Sequence, residues 1–106
     1  MITTGEINKF IDREQLRLLK RSGSGEDTDK RSLSYCVKLM EEVGELSEAV
    51  LHSMKDQRQE KLADQKNVAH ELADVIIVSL LIAKNMKVDI FKALGEKIEI
   101  INKRIY

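Results

Sequence analysis

Two short acidic runs in this chain have the residue types and spacing to do chemistry. One is Glu41, Glu42, Val43, Gly44, Glu45, and the other is Glu71, Leu72, Ala73, Asp74. Glu42 and Glu45 are three residues apart, as are Glu71 and Asp74, so on helices each pair emerges as neighbouring carboxylates one turn on. Glu71 projects along nearly the same line as Val75, Val78 and Ile82, with Asp74 roughly 60° to one side. Both acids therefore share a helix face with the apolar run from Val75 to Ala83, which a folded protein would bury. An ionised carboxylate buried without a partner normally takes up a proton instead, so a cation is expected beside this pair.

If the two acidic helices are antiparallel neighbours, Glu42, Glu45, Glu71 and Asp74 converge as four carboxylates that cannot coexist without positive charge. Oxygen-only donor sets suit hard cations, so Mg²⁺, or Mn²⁺ in its place, is the expected occupant. A di-iron centre is disfavoured because it needs Glu-x-x-His pairs. Ala49 stands three residues before His52, and Asn67 three before His70. Divalent cations neutralise charge developing on phosphate oxygens and lower the pKa of water, so phosphoryl chemistry here needs no side-chain nucleophile. Ser47, Cys36 and the two histidines show no triad-like grouping. Glu41 or Glu45, both expected to be less buried, would take a proton from water.

The elements that must position these acids read as helices throughout. Ile7, Phe10, Ile11, Leu16 and Leu19 mark a first amphipathic helix, with a cap at Thr3 or Thr4 and Glu6 in its first turn. Residues 21–32, rich in Gly, Ser and charge, read as a flexible loop, either a plain linker or a lid. A second helix is expected from about Leu33 to Met54, with Cys36, Met40, Val43, Leu46 and Val50 as its apolar stripe. On that frame Glu42 falls on the flank of the core and Glu45 further out, while Cys36 is expected to be buried as a small apolar residue. Gly44, mid-helix at a cost of roughly 1 kcal/mol against alanine, marks a place where another backbone comes close. Polar residues 55–67 are undecided between loop and helix. A third helix is expected from about Asn67 to Asn85, and a fourth from near Val88, with Phe91, Leu94, Ile98, Ile101 and Ile105 at spacings of three and four. The expected fold is a single all-α domain over residues 1–106, a four-helix bundle completed by a second copy of the chain.

Bulk properties agree. At 106 residues the chain is small for burying a core by itself. It has no proline, four aromatic residues and 34% charged residues, a helical composition. A formal net charge of zero leaves no basic footprint and argues against nucleic acid as a partner. The longest apolar stretch is far short of the roughly 20 residues that span a bilayer, and no signal sequence is visible. A cytoplasmic protein without a membrane partner is expected.

The order of these motifs, "EEVGEL" and then "ELADV" some 25 residues on, resembles the MazG-like branch of the all-α nucleoside triphosphate pyrophosphatases, whose signature is E-E-x-x-E followed by E-x-x-D. The likeness runs from about Leu33 to Arg104. It implies a Mg²⁺-dependent hydrolase that splits a nucleoside triphosphate between its α- and β-phosphates, acting as a dimer or a dimer of dimers. By the same likeness Glu42, Glu45, Glu71 and Asp74 are the metal ligands. Lys97 and Arg104, seven apart on the last helix, are placed to reach phosphates, Asn102 to hydrogen-bond sugar or base, and Lys38 to contact phosphate. Blander readings exist for each part. Lys38 also pairs with an acid at i+4, the C-terminal cations suit the helix dipole, and Glu71 with Asp74 would suit a helix starting near Asn67. The alternative function is a non-catalytic helical oligomerisation or regulatory module that retains an acidic site.

Overall fold

A computed structural model describes residues 1–22, 28–54 and 61–105, the side chains of Ser22 and of 61–64 excepted. Four helices follow one another: α1 (Thr4–Ser22), α2 (Thr28–Met54), α3 (Lys61–Asn85) and α4 (Ile90–Asn102). No strand occurs among the described residues. The expected all-α class is therefore borne out.

Local chemistry sets the helix ends. The Thr3 hydroxyl accepts from the Glu6 backbone N–H at 3.1 Å and donates to the Glu6 carboxylate at 3.2 Å, an N-cap that starts α1. At α4 the Asp89 carboxylate accepts from the Lys92 backbone N–H at 3.2 Å. Lys87, with φ 57°, turns the chain between α3 and α4. Two boundaries differ from expectation. α2 begins at Thr28 and α1 runs to Ser22, so helix takes up much of the expected loop 21–32, whose residues 23–27 lie outside the described residues. α3 begins at Lys61, and of the undecided stretch residues 55–60 likewise lie outside them.

α2 and α3 form an antiparallel pair, fastened at one end by a buried amide. Asn85, the last residue of α3, donates to the Ser32 hydroxyl at 2.8 Å and to the Thr28 carbonyl at 3.2 Å, and accepts from Arg31 at 2.8 Å. α1 lies against α3, and Ile11, Tyr35 and Leu81 form the core where the three helices meet. The Tyr35 hydroxyl donates to Gln15 Oε1 at 2.7 Å, tying α2 to α1 inside that core. Burial pushes the Tyr35 phenol above its ordinary pKa, with Arg31 opposing, which keeps the donor protonated.

The stripe of α2 that is buried is not the one the spacing predicts. Tyr35, Glu42 and Ala49, seven apart, face α3, while Met40, Val43 and Val50 are exposed. Cys36 is exposed as well, so its expected burial is corrected. α2 carries an apolar arc wider than one neighbouring helix can cover, and α3 takes the Tyr35 edge of it. On α1, Leu16 is exposed and Gln15 is buried in its stead. A Cβ added at Gly44 would meet nothing within 4 Å, so the close approach expected there does not occur within the chain. Among the described residues α4 makes no substantial contact with another helix; Leu94, Ile98 and Ile101 on it, and Ile105 just past it, are all exposed.

Asn85 joins three partners in a buried place, so its loss leaves several polar groups unsatisfied. Asn85→Ala should lower unfolding stability by about 2–4 kcal/mol, and Tyr35→Phe by about 1–2 kcal/mol. Urea denaturation of the two variants checks this, and an Asn85→Ala protein as stable as the parent would rule out the fastening role.

Candidate metal centre

Fourteen residues along α2 from Thr28 stands Glu42, and fourteen back along α3 from Asn85 stands Glu71. With Asn85 held against Thr28, an antiparallel pair rising 1.5 Å per residue must bring Glu42 and Glu71 level, about 21 Å from the fastening. The register set by one amide therefore decides which acids meet. Carboxylate oxygens of Glu42, Glu45 and Glu71 lie within 4.8 Å of one another.

The three differ in exposure. Glu42 is buried, at 7% of its full exposure, Glu71 is half-buried and Glu45 is exposed. Glu42 is thus deeper than the flank position expected of it, because it stands on the Tyr35 and Ala49 line that faces α3. One oxygen of Glu42 and one of Glu71, Oε2 in each, are buried without a hydrogen-bond partner. A buried carboxylate oxygen left unpaired is costly, and a hard cation could satisfy it. The other oxygen of Glu42 is engaged by the Lys38 ammonium at 3.2 Å, one turn back on the same helix, which also lies 3.8 Å from Glu41. Those contacts, the Glu42 hydrogen bond first, raise the Lys38 pKa. Glu45 feels the cluster too. The Glu42 charge, then burial, Glu71 and Glu41 raise its pKa above the ordinary glutamate value.

The remaining candidates are placed as follows. Asp74 is exposed on α3 and lies outside the trio, so its expected place on the buried face is corrected. Glu41 is exposed beside Lys38. Lys97, Asn102 and Arg104 are exposed on or just past α4, which is not packed against the α2 and α3 pair. Because α3 starts at Lys61, Glu71 and Asp74 stand nearly three turns into it, beyond reach of the helix N-terminal dipole that was the blander account of them. Lys38 pairs with Glu42 four residues on, as the blander reading of its spacing expected.

Among the described residues, the second and third helices thus bring together three carboxylates that could hold a metal ion. Residues 30–105 match the MazG nucleotide pyrophosphohydrolase domain, and the chain is a member of that family of hydrolases. No curated protein and no solved structure shows significant similarity to it.

The pKa of Glu45 gives the pH dependence of the fold. Between the ordinary glutamate value and the raised one, the folded chain holds a proton that the unfolded chain has released. Stability without divalent ions should therefore fall as pH rises through that interval, and Glu45→Gln should flatten the trend. Thermal melts in EDTA from pH 4 upward read this directly, and a parent protein that gains stability across that range would contradict it.

Proposed function

We propose that the chain is a Mg²⁺-dependent pyrophosphohydrolase that cleaves the α–β anhydride bond of a nucleoside triphosphate, giving the monophosphate and pyrophosphate. The observation that carries this reading is the meeting of Glu42, Glu45 and Glu71 with two unpaired buried oxygens, inside the stretch that matches the family. Glu42, Glu45 and Glu71 would hold the ion, with Asp74, one turn on from Glu71, as the fourth ligand. Mg²⁺, or Mn²⁺, supplies charge neutralisation on the phosphates and a lowered pKa for the attacking water.

The rest of the work falls to the chain. Glu42 and Glu71, sheltered at the helix interface, fix where charge is held. Glu45, exposed and already disposed to carry a proton, is the candidate general base, with Glu41 beside it as the alternative. Lys38 stands at the edge of the cluster as a phosphate contact. Lys97, Asn102 and Arg104 would meet the nucleotide only where α4 is brought to a site, and that makes the association of subunits part of the reading.

A homodimer or homotetramer is supported by surface and shape. The chain exposes 8768 Å², about 2,700 Å² more than expected of a compact monomer of its 12.1 kDa. Its radius of gyration is 16.7 Å, against about 13 Å for a compact domain of this length. Each protomer of an obligate dimer hides roughly 1,000–2,500 Å². Apolar side chains to fill such an interface stand exposed on α2 (Leu33, Val37, Met40), α3 (Leu72, Ile76) and α4 (Leu94, Ile98). No described helix is long and apolar enough to cross a membrane, so these faces are not spans. Nucleoside triphosphates are a cytoplasmic pool, and we place the protein there.

The purified chain with Mg²⁺ and a panel of nucleoside triphosphates should release pyrophosphate. Glu42→Gln should reduce that rate by at least about 100-fold. No pyrophosphate from any nucleotide would move the chain to the alternative of a helical module that binds without turnover. In sedimentation, the parent should run as a dimer or larger, and the double change Leu94→Glu with Ile98→Glu should shift it toward monomer, burial of two new charges costing several kcal/mol. A monomeric parent at micromolar concentration would reject the oligomer.

A further inference from the structure

The geometry points to Lys38 as a resident counter-ion: its ammonium holds Glu42 while the site lacks a divalent ion and leaves for the nucleotide's phosphates when the ion arrives. This rests on the metal-centre reading above and goes beyond it by giving the cation-free site a defined state.

Glu42 is buried beside two other carboxylates, a position that an unpaired negative charge cannot hold. Lys38 supplies the compensating charge from the same helix. Its Nζ is 3.2 Å from Glu42 Oε1, while Glu42 Oε2 stays buried and unpaired. One oxygen is thus taken by the chain's own cation and the other is left without a hydrogen-bond partner beside the neighbouring carboxylates. The lysine side chain is itself 52% exposed, so its stem and head move in solvent and nothing buries the ammonium in place. A divalent ion on Glu42 would face that ammonium across one carboxylate, and two cations so close repel. Lysine, a compact charge on a flexible stem with three donors, is suited to leaving.

Triphosphate oxygens offer it somewhere to go. Metal and nucleotide then help one another onto the protein, because each relieves a charge that the other leaves unbalanced. Free metal without nucleotide would find the site partly neutralised already.

The test is metal binding without turnover. Mn²⁺ affinity is read by electron paramagnetic resonance of the free ion for the parent, Lys38→Met, Lys38→Arg and Glu42→Gln. Affinity for a triphosphate analogue with a methylene α–β bridge is read in the presence of Mn²⁺. Lys38→Met should tighten Mn²⁺ alone by about three- to five-fold, the size of a partly exposed ion pair. The same change should weaken the analogue, with Lys38→Arg intermediate in both. A purely structural lysine could weaken both but would not move them in opposite directions. Mn²⁺ affinity unchanged or weakened in Lys38→Met overturns the proposal, as does analogue affinity unchanged. If Glu42→Gln binds Mn²⁺ as well as the parent, the metal centre itself is misplaced and the proposal falls with it. If Mn²⁺ and the analogue respond as expected but no nucleotide is hydrolysed, only the catalytic reading fails.

Discussion

Charge confined at a helix crossing is what the rest of this molecule is arranged around. Three carboxylates of like sign lie within 4.8 Å of one another, the deepest of them almost out of water. Such a grouping opposes folding, and hydrophobic contact between α2 and α3 has to outweigh it. The apolar contacts concentrate elsewhere, around Ile11, Tyr35 and Leu81, while Asn85 locks the helix ends. Stability thus resides at one end of the helix pair and chemistry some 21 Å away, about the rise of fourteen helical residues. A strained site is tolerable when a separate, well-satisfied region fixes the register for it.

Much of this could be read from residue spacing, and the parts that could not have a common physical cause. Helical periodicity marks four helices, and E-x-x-E with E-x-x-D marks the acids that matter. Periodicity does not say where along a wide apolar arc the neighbour sits. On α2 the candidate centre line through Met40 and Val43 and the buried line through Tyr35 and Ala49 are both self-consistent at 3.6 residues per turn. The choice between them is made by α3, through Asn85 and through the packing of Leu81, both distant in sequence. Cys36 and Glu42 were displaced from their expected environments by that one rotation. Asp74 shows a second limit: its helical position put it on the buried face with Glu71, and the structure leaves it exposed. Helix starts at Thr28 and Lys61 were hidden because polar, charged sequence is compatible with either helix or loop.

The same rotation explains why the chain looks unfinished. Having turned Tyr35, Glu42 and Ala49 toward α3, α2 leaves Leu33, Val37, Met40 and Leu51 without a neighbour. α4 repeats the situation with Leu94, Ile98 and Ile101, exposed at spacings of three and four. Gly44 lies on that uncovered side of α2, with open space where a Cβ would go. A glycine inside a helix is tolerated at a cost, and the compensation is found where a second surface can approach.

Burial also separates the roles within the acidic cluster. Glu42 and Glu71, sheltered and each with a buried oxygen lacking a donor, are candidate fixed points for a cation. Glu45 is in water, in contact with the same field, and it is the member whose proton affinity that field raises. A base must be reachable and must bind a proton well enough to take it from water, and Glu45 meets both conditions because its neighbours are charged. Neutralising those neighbours with a divalent ion would lower its proton affinity again. A proton taken up by Glu45 would then be returned readily to solvent. The cluster thus sets two sheltered glutamates, Glu42 buried and Glu71 half-buried, beside one exposed glutamate that feels their charge.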